Sequence, residues 1–547
     1  MPPPNVFTIA AGLPFVDVLA AGIRTRTGDD PAALAGVTVL VPTQRSRRVL
    51  TEAFLRQSGG QALLLPRIIA LGDMDEDEIQ FSGGFDDVLR VPEAASGLER
   101  QLLLTRLVLA RDDVSPDQAA NLGLELARLL DQVHTERLSF KDLKNLAPDE
   151  FAEHWRETLE FLTILTELWP GILKDNNTID AAERRNLLFD AQGQAWAANP
   201  PPGPVIAAGS TGSIPATADL LAVIAQMTDG AVVLPGLDVD ATEEAWAALE
   251  DHHPQFGMAR LLVHFGITRD DVHNWESLDF KTEPSARGRL IHAALTPAGV
   301  DAPSWSDKKE IEMALDGIAR VDCPTPREEA VVIALIMRET LETPEKTCAL
   351  VTPDRGLARR VAAELARWNI GVDDSAGVPL AQTLPGAFLR LTARMVADDL
   401  APVSLLAALK HPLAAGGFKT ATLRAKVRAL ETTLLRGPRP APGIQGLLRA
   451  DKIHPETEAF LASLQTLIEP FAKVLNEAAG NFSDILMAHV QMAEALAATD
   501  EENGAQRLWA GDAGEAAMTF VVELNNAAKD FDGVSGADYP ALLDTLM

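Results

Sequence analysis

Val6-Phe7-Thr8-Ile9-Ala10-Ala11-Gly12-Leu13-Pro14-Phe15 is the stretch whose reading decides the fold. Val6 to Ile9 is a short apolar and β-branched run that reads as a buried strand, and Val16 to Ile23 beyond the turn carries an apolar helical pattern. Strand, tight turn and helix in that order open a parallel α/β sheet. A phosphate-gripping turn at this point needs several glycines, so that backbone N–H groups can curl around the phosphates. It also needs a Lys for the β/γ oxygens and a Ser or Thr hydroxyl for Mg²⁺. Only Gly12 fits that pattern; Pro14 removes one N–H donor, and the first lysine of the chain is Lys141. The turn at Ala11, Gly12, Leu13 and Pro14 therefore reads as a degenerate phosphate loop.

The same layout recurs. Val37 to Val41 is a β-branched run, broken by Pro42-Thr43 and followed by Val49, Leu50, Ala53 and Phe54 at helical spacing. Thr347 to Val351 is followed by Thr352-Pro353-Asp354-Arg355 and a helix whose apolar face is Leu357, Val361, Leu365 and Trp368. VPTQRSRRV and VTPDRGLARRV each place an Arg four residues beyond the strand's last Val, then an Arg-Arg pair. A third unit runs from a strand at Val205–Ala208 through the turn Gly209–Ser213 and a helix to a strand at Ala231–Leu234. Strands alternating with helices predict a parallel sheet with helices on its faces. Leu98 to Ala198 reads as almost wholly helical, sustained by Phe151, Trp155, Leu159, Leu162 and Leu165, and so do the residues after Asp399 apart from the Pro/Gly run 436–443. Pro297 to Glu310 lacks periodicity and reads as the boundary between two halves, the second opening with a short strand at Ile318–Val321.

With 547 residues, 47% of them hydrophobic and 23% charged, the chain has the composition of an ordinary folded protein of several domains. No apolar run reaches the roughly 20 residues that span a bilayer, so the expected location is the cytoplasm, with no membrane contact. Cys323 and Cys348 are too few for a disulfide frame, a four-thiolate zinc site or an iron–sulfur cluster, and read as buried thiols. A formal net charge of −30 opposes nucleic-acid binding unless the basic surface is a minority face. His252, His253, His264 and His273 are too loosely spaced for zinc, and the acidic run Asp73–Glu78 lacks the Gly that a calcium loop requires. Gly209–Ser213 reads as a plain turn and Asp373-Asp374-Ser375 as a turn and helix-cap cluster.

Taken in order, FTIAAGLPFVDVLAAG (7–22), VTVLVPTQRSRRVL (37–50), LPRIIALGDMDEDE (65–78) and VIAAGSTGSIPATADLL (205–221) resemble the AddB family. CALVTPDRGLARRVAAELARWNIGVDDSAGVPL (348–380), LLAALKHPLAAGG (405–417) and ALETTLLRGPRPAPG (429–443) extend the likeness. AddB proteins are the second subunits of bacterial AddAB helicase-nucleases, here of the alphaproteobacterial type. The resemblance implies an α/β fold with two RecA-like parallel-sheet domains of the P-loop NTPase, superfamily-1 helicase kind, each with a mainly helical insertion. On that plan residues 1–97 and 199–300 form the first RecA-like domain around an insertion at 98–198, residues 315–400 begin the second, and 401–547 belong to a truncated insertion. Family members carry a further PD-(D/E)XK nuclease domain, with its Mg²⁺ and any iron–sulfur cluster; no cofactor is expected for the chain itself.

The resemblance further implies a helicase-like but ATPase-inactive subunit in double-strand-break repair, a heterodimer with an AddA-type motor that handles single-stranded and broken double-stranded DNA. Val205–Ala208 ends in Ala207-Ala208 where a motor would hold its Mg²⁺-binding Asp and catalytic Glu, a second loss beside that of the phosphate Lys. No catalytic residue is assigned. Thr43, Gln44, Arg45, Arg47 and Arg48 would face DNA in the first half, Thr352, Arg355, Arg359 and Arg360 in the second, and Lys410 at a helix end. Two other readings stay open: an active ATP-dependent helicase with an atypical loop, drawing on Lys346, and a DNA-independent α/β interaction scaffold.

Overall fold

The computed structural model describes residues 4–28, 30–73, 91–140, 161–275, 286–301, 307–449, 453–477 and 480–547. The expected helical residues Phe151, Trp155 and Leu159, and the acidic run beyond Asp73, lie outside them. Six short strands build one all-parallel sheet: β1 (Val6–Ile9), β2 (Thr38–Val41), β3 (Arg67–Ala70), β4 (Val205–Ala208), β5 (Gly230–Pro235) and β6 (His273–Asn274), in the order β3-β2-β4-β5-β1-β6. Four of these coincide, within a residue at either end, with the runs read from the sequence. β3 and β6 are additional: Arg67–Ala70 follows a proline in a short run, and β6 has only two residues, so neither carries a periodic signal.

Successive residues of each strand point to opposite faces, and both faces are buried. Val39, Val41, Ile206, Ala208, Ala231 and Val233 meet Val18, Leu19 and Ile23 of the helix Phe15–Thr27 and Leu50 and Phe54 of the helix Gln44–Gln57. Leu40, Val205, Ala207, Val232 and Leu234 meet Leu220, Leu221 and Ile224 of the helix Pro215–Gln226 and Leu261 of the helix Phe256–Phe265. At about 1.5–3 kcal/mol for each large aliphatic side chain taken from water, this double-sided burial outweighs what so short a ladder gains from hydrogen bonds. Val49 faces outward, so the buried stripe of its helix is Leu50, Ala53 and Phe54.

The first helical segment has its own core around Leu104, Leu130, Leu165 and Trp169, but it also reaches into that of the second. Leu102 and Ala120, from the helices Gly97–Arg111 and Pro116–Thr135, share one apolar cluster with Phe388, Leu464, Phe471, Phe482 and Tyr539 of the segment after 380. A small antiparallel pair, β7 (Gly480–Asn481) and β8 (Asp532–Val534), interrupts the expected run of helices. At the centre of this cluster lies His489, fully buried, with Nδ1 2.9 Å from the Tyr539 hydroxyl and Nε2 2.9 Å from Thr392 Oγ1. Thr392 spends its own proton on the backbone oxygens of Phe388 and Leu389, so Nε2–H donates to Thr392 and Nδ1 accepts from Tyr539. Burial drives the imidazole pKa down to about 3, against an opposing hydrogen bond to the Leu389 backbone. The unfolded chain therefore takes the proton first as pH falls below 6.5, and stability declines by roughly 2–3 kcal/mol on going to about pH 4.5. Chemical denaturation between pH 7 and 4.5 should show this loss, and His489→Gln should flatten it.

Residues 306–379 form a second compact unit, apart from 1–305 with 380–547. Its beginning falls within the aperiodic stretch read as a boundary. The helix Pro326–Leu341 packs Ala330 and Ala334 against Leu357, Val361 and Leu365 of the helix Arg355–Ala366, the apolar face expected. The strands expected at 318–321 and 347–351 do not form. β-branched residues favour a strand only where neighbouring strands and a covering layer exist, and among the described residues none pairs with these segments. Val351 stands 93% exposed. Leu384–Ala397, expected to continue this half to residue 400, instead buries Phe388, Leu389 and Met395 in the helical cluster of the first unit. Cys323 and Cys348 are half-buried rather than buried free thiols. No helix among the described residues is long and apolar enough to cross a membrane.

Candidate functional site

In an open parallel sheet, ligands lie beyond the carboxyl ends of the strands, at the point where the connections leave in opposite directions. Here β1 connects away across β5 and β4 to β2, while β5 connects past β1 to β6, so the crevice falls at β1 and β5. It is laced shut. Gly236 N–H donates to Ile9 O at 2.8 Å, and Leu237 N–H to the buried Thr8 hydroxyl at 3.1 Å, which itself donates to Leu234 O. The turn after β1 lies against this lacing, for a Cβ added to Gly236 would stand 3.2 Å from that of Ala11.

The turn itself offers little to an anion. Leu13 N–H is spent on Ala10 O and Pro14 has none. Asp17 sits in the first turn of the following helix, paired with Arg56 at 2.7 Å, and puts negative charge where a helix N-terminus would otherwise attract phosphate. At the end of β4, Ala207 and Ala208 are buried and carry no carboxylate. Gly209 has φ 79° and faces the Phe15 ring and Pro42, and Gly212 has φ 61° with its N–H turned back to Ser210 Oγ, 3.2 Å away. A Cβ on Gly212 would meet Leu261 at 2.5 Å, so this loop is a packed turn.

Of the basic candidates, Thr43 caps the helix Gln44–Gln57, its hydroxyl accepting from Ser46 N–H at 3.1 Å at the carboxyl end of β2. Gln44, Arg45, Arg47 and Arg48 are exposed on the first turns of that helix, and Arg47 donates to Gln44 Oε1 at 3.5 Å. The second-half group is engaged internally. Arg355 makes a two-pronged contact with Asp374, at 3.0 and 2.6 Å, and donates to Gly377 O; Arg360 lies 3.6 Å from Asp354, whose N–H bonds Thr352. Asp374 also accepts from Ala376 N–H, as a turn carboxylate does. Arg359 lies on the same helix, partnered in turn. Lys410 pairs with Glu431 at 2.6 Å.

A different constellation stands where three helical segments meet. His134 ends the helix Pro116–Thr135, and Asp180 is the residue before the helix Ala181–Ala198, set in place by a parallel bridge between Ala94 and Ile179. An Asp in that position ordinarily accepts helix N–H bonds; Asp180 does not, and turns inward. Its Oδ2 accepts from the Trp169 indole at 3.0 Å and lies 3.4 Å from His134 Nε2, while Oδ1 stands 2.8 Å from Arg100 Nε. Trp169 is brought there by a π-helical turn, Ile164–Leu168, of the kind often found at functional sites. The Asn186 side-chain amide Nδ2 donates to the His134 carbonyl at 2.6 Å, and Arg185 donates to Thr135 Oγ1. Burial pushes the Asp180 carboxyl up, but the hydrogen bond from His134, the Arg100 charge and the Trp169 indole bring it below the usual range. The hydrogen bond to Asp180 raises His134 in turn.

Glu183, one helical turn on, joins this group, and all three line a cavity of about 490 Å³ walled by Leu130, Val133, Leu165 and Trp169. The expected zinc-poor histidines stay dispersed: His264 pairs with Asp219 and His253 bonds Leu295 O. His134, Asp180 and Glu183 were missed because 46 residues separate the imidazole from the nearer carboxylate; only the spacing of Asp180 and Glu183 was visible in the sequence. No protein-family model matches this chain, and no curated protein is significantly similar to it.

Proposed function

We propose that the chain is a catalytically silent, helicase-like subunit of a helicase-nuclease complex that processes DNA double-strand breaks, with a RecA-like scaffold that binds single-stranded DNA and an AddA-type motor partner. The observation that carries this reading is the carboxyl edge of the sheet: a parallel α/β frame whose turn after β1 has no lysine and whose β4 ends in Ala207-Ala208. The all-parallel sheet with helices on both faces agrees with such a scaffold. Arg45, Arg47 and Arg48, presented on an exposed helix start beside that edge, are the residues best placed for phosphate.

The purified chain is expected to show no ATP hydrolysis with or without DNA. Single-stranded DNA should bind with an affinity that falls steeply as salt rises. Replacing Arg45, Arg47 and Arg48 together by Ala should weaken binding at low salt by on the order of tenfold to a hundredfold and reduce the salt slope by about 2, at roughly 0.7 per phosphate contact. Fluorescence anisotropy over a salt series reads both. Salt-independent binding, or no loss in the triple variant, would contradict this reading. The internal pairing of Arg355 and Lys410, with the net charge of −30, favours a second reading as a DNA-independent interaction scaffold, which the absence of any binding in the same series would support.

A further inference from the structure

We propose that His134, Asp180 and Glu183 form a binding site for a transition-metal dication of the Zn²⁺ or Mn²⁺ class. One donor atom from each residue lies within 4.8 Å of the other two. The 3.4 Å between His134 Nε2 and Asp180 Oδ2 is the edge of a tetrahedron with metal–ligand distances of about 2.1 Å, so two of the three donors already stand at ligand spacing. Glu183 is half-buried on the first turn of its helix, its carboxylate within 4.8 Å of the other two donors.

Independent of this spacing, Asp180 is 1% exposed and its Oδ1 has no hydrogen bond, since Arg100 Nε beside it at 2.8 Å is not directed at it. Arg100 supplies the cation that Oδ1 faces, so Oδ2, 3.4 Å from His134 Nε2, is the oxygen at ligand spacing. The local charge agrees. Asp180 and Glu183 bring two carboxylates to the cluster, and the Arg100 guanidinium beside Asp180 is shared with Asp131 at 2.7 Å.

One imidazole and two carboxylates suit Zn²⁺ or Mn²⁺; Mg²⁺ and Ca²⁺ prefer oxygen alone. The surrounding contacts are those that hold metal ligands in place: the Trp169 indole donates to Asp180, and Asn186 fixes the backbone at His134. The cavity leaves room for water or a small anionic ligand in an open coordination position.

The test is isothermal titration calorimetry of the whole chain, stripped with chelator, against Zn²⁺ and Mn²⁺, with Mg²⁺ present in millimolar excess. One ion per chain is expected. Affinity should fall by about tenfold or more in His134→Gln and in Glu183→Gln. Glu167→Gln, at a cavity-lining carboxylate outside the cluster, should leave it unchanged. Apo variants are checked by thermal melting in EDTA; if His134→Gln fails to fold, Glu183→Gln at its half-buried position decides. No saturable binding of either ion, or binding that Glu183→Gln leaves intact, would overturn the assignment.

Discussion

Asp180→Ala is expected to lower the unfolding free energy by about 3–5 kcal/mol, the cost of stripping a partner from a buried charge. Arg100 has 7% of its side chain exposed and would keep only Asp131 and the Ala127 carbonyl. The Trp169 indole would lose its acceptor, and His134 its nearest carboxylate. Asp180→Asn keeps the shape and an acceptor oxygen and should cost less. Combining Asp180→Leu with Arg100→Met removes both charges together and should recover much of the loss. The pH dependence has a definite direction. The depressed Asp180 contributes stability present above its ordinary value of 3.8 and lost as pH falls through the folded value. The raised His134 contributes stability present below 6.5 and lost as pH rises through its folded value. Asp180→Ala should therefore be most damaging between about pH 4 and 6.5. Denaturation curves for wild type and variant at pH 5 and 8 check this; an equal loss at both would show that His134 is not coupled to Asp180.

Gly230→Ala is expected to cost about 4 kcal/mol or more, beyond what most single substitutions do. Gly230 turns the chain from the helix Pro215–Gln226 into β5, and its N–H bonds Met227 O at 3.2 Å. A Cβ there would lie 1.9 Å from Ile224 O and 2.8 Å from Met227 Cβ. Both neighbours are buried and cannot give way, and Gly230 also pairs with Val205, so relief would have to come from shifting a central strand. Gly266→Ala is the contrast: φ is 69° but nothing lies within 4 Å, so only backbone strain of about 1–2 kcal/mol is paid. Thermal melting with far-UV circular dichroism should rank Gly230→Ala far below Gly266→Ala. Similar melting temperatures would mean the helix-to-strand turn is softer than its packing indicates.

Much of the first sheet was legible because its strands are continuous β-branched runs, and double-sided burial demands such runs: Val39, Leu40 and Val41 announce β2 without any partner being known. β6 was not, since two residues become a strand only when Phe7 and Thr8 lie beside them. The opposite failure occurred at 347–351, where the same composition finds no ladder. That the turn after β1 has no N–H at Pro14 and no lysine was legible in the sequence. That Thr8 bonds Leu234 and Leu237 was not, because those bonds join residues more than 220 apart.

By itself the sequence determined four of the six strands of the sheet and the helices beside them, since residue type and short-range periodicity suffice for these. The tertiary structure alone decided which of the second-half arginines are held by carboxylates, that Leu102 and Ala120 join the core of the segment after 380, and that His134, Asp180 and Glu183 face a common cavity. Those are long-range juxtapositions, set by how helices pack rather than by what any one stretch of chain prefers.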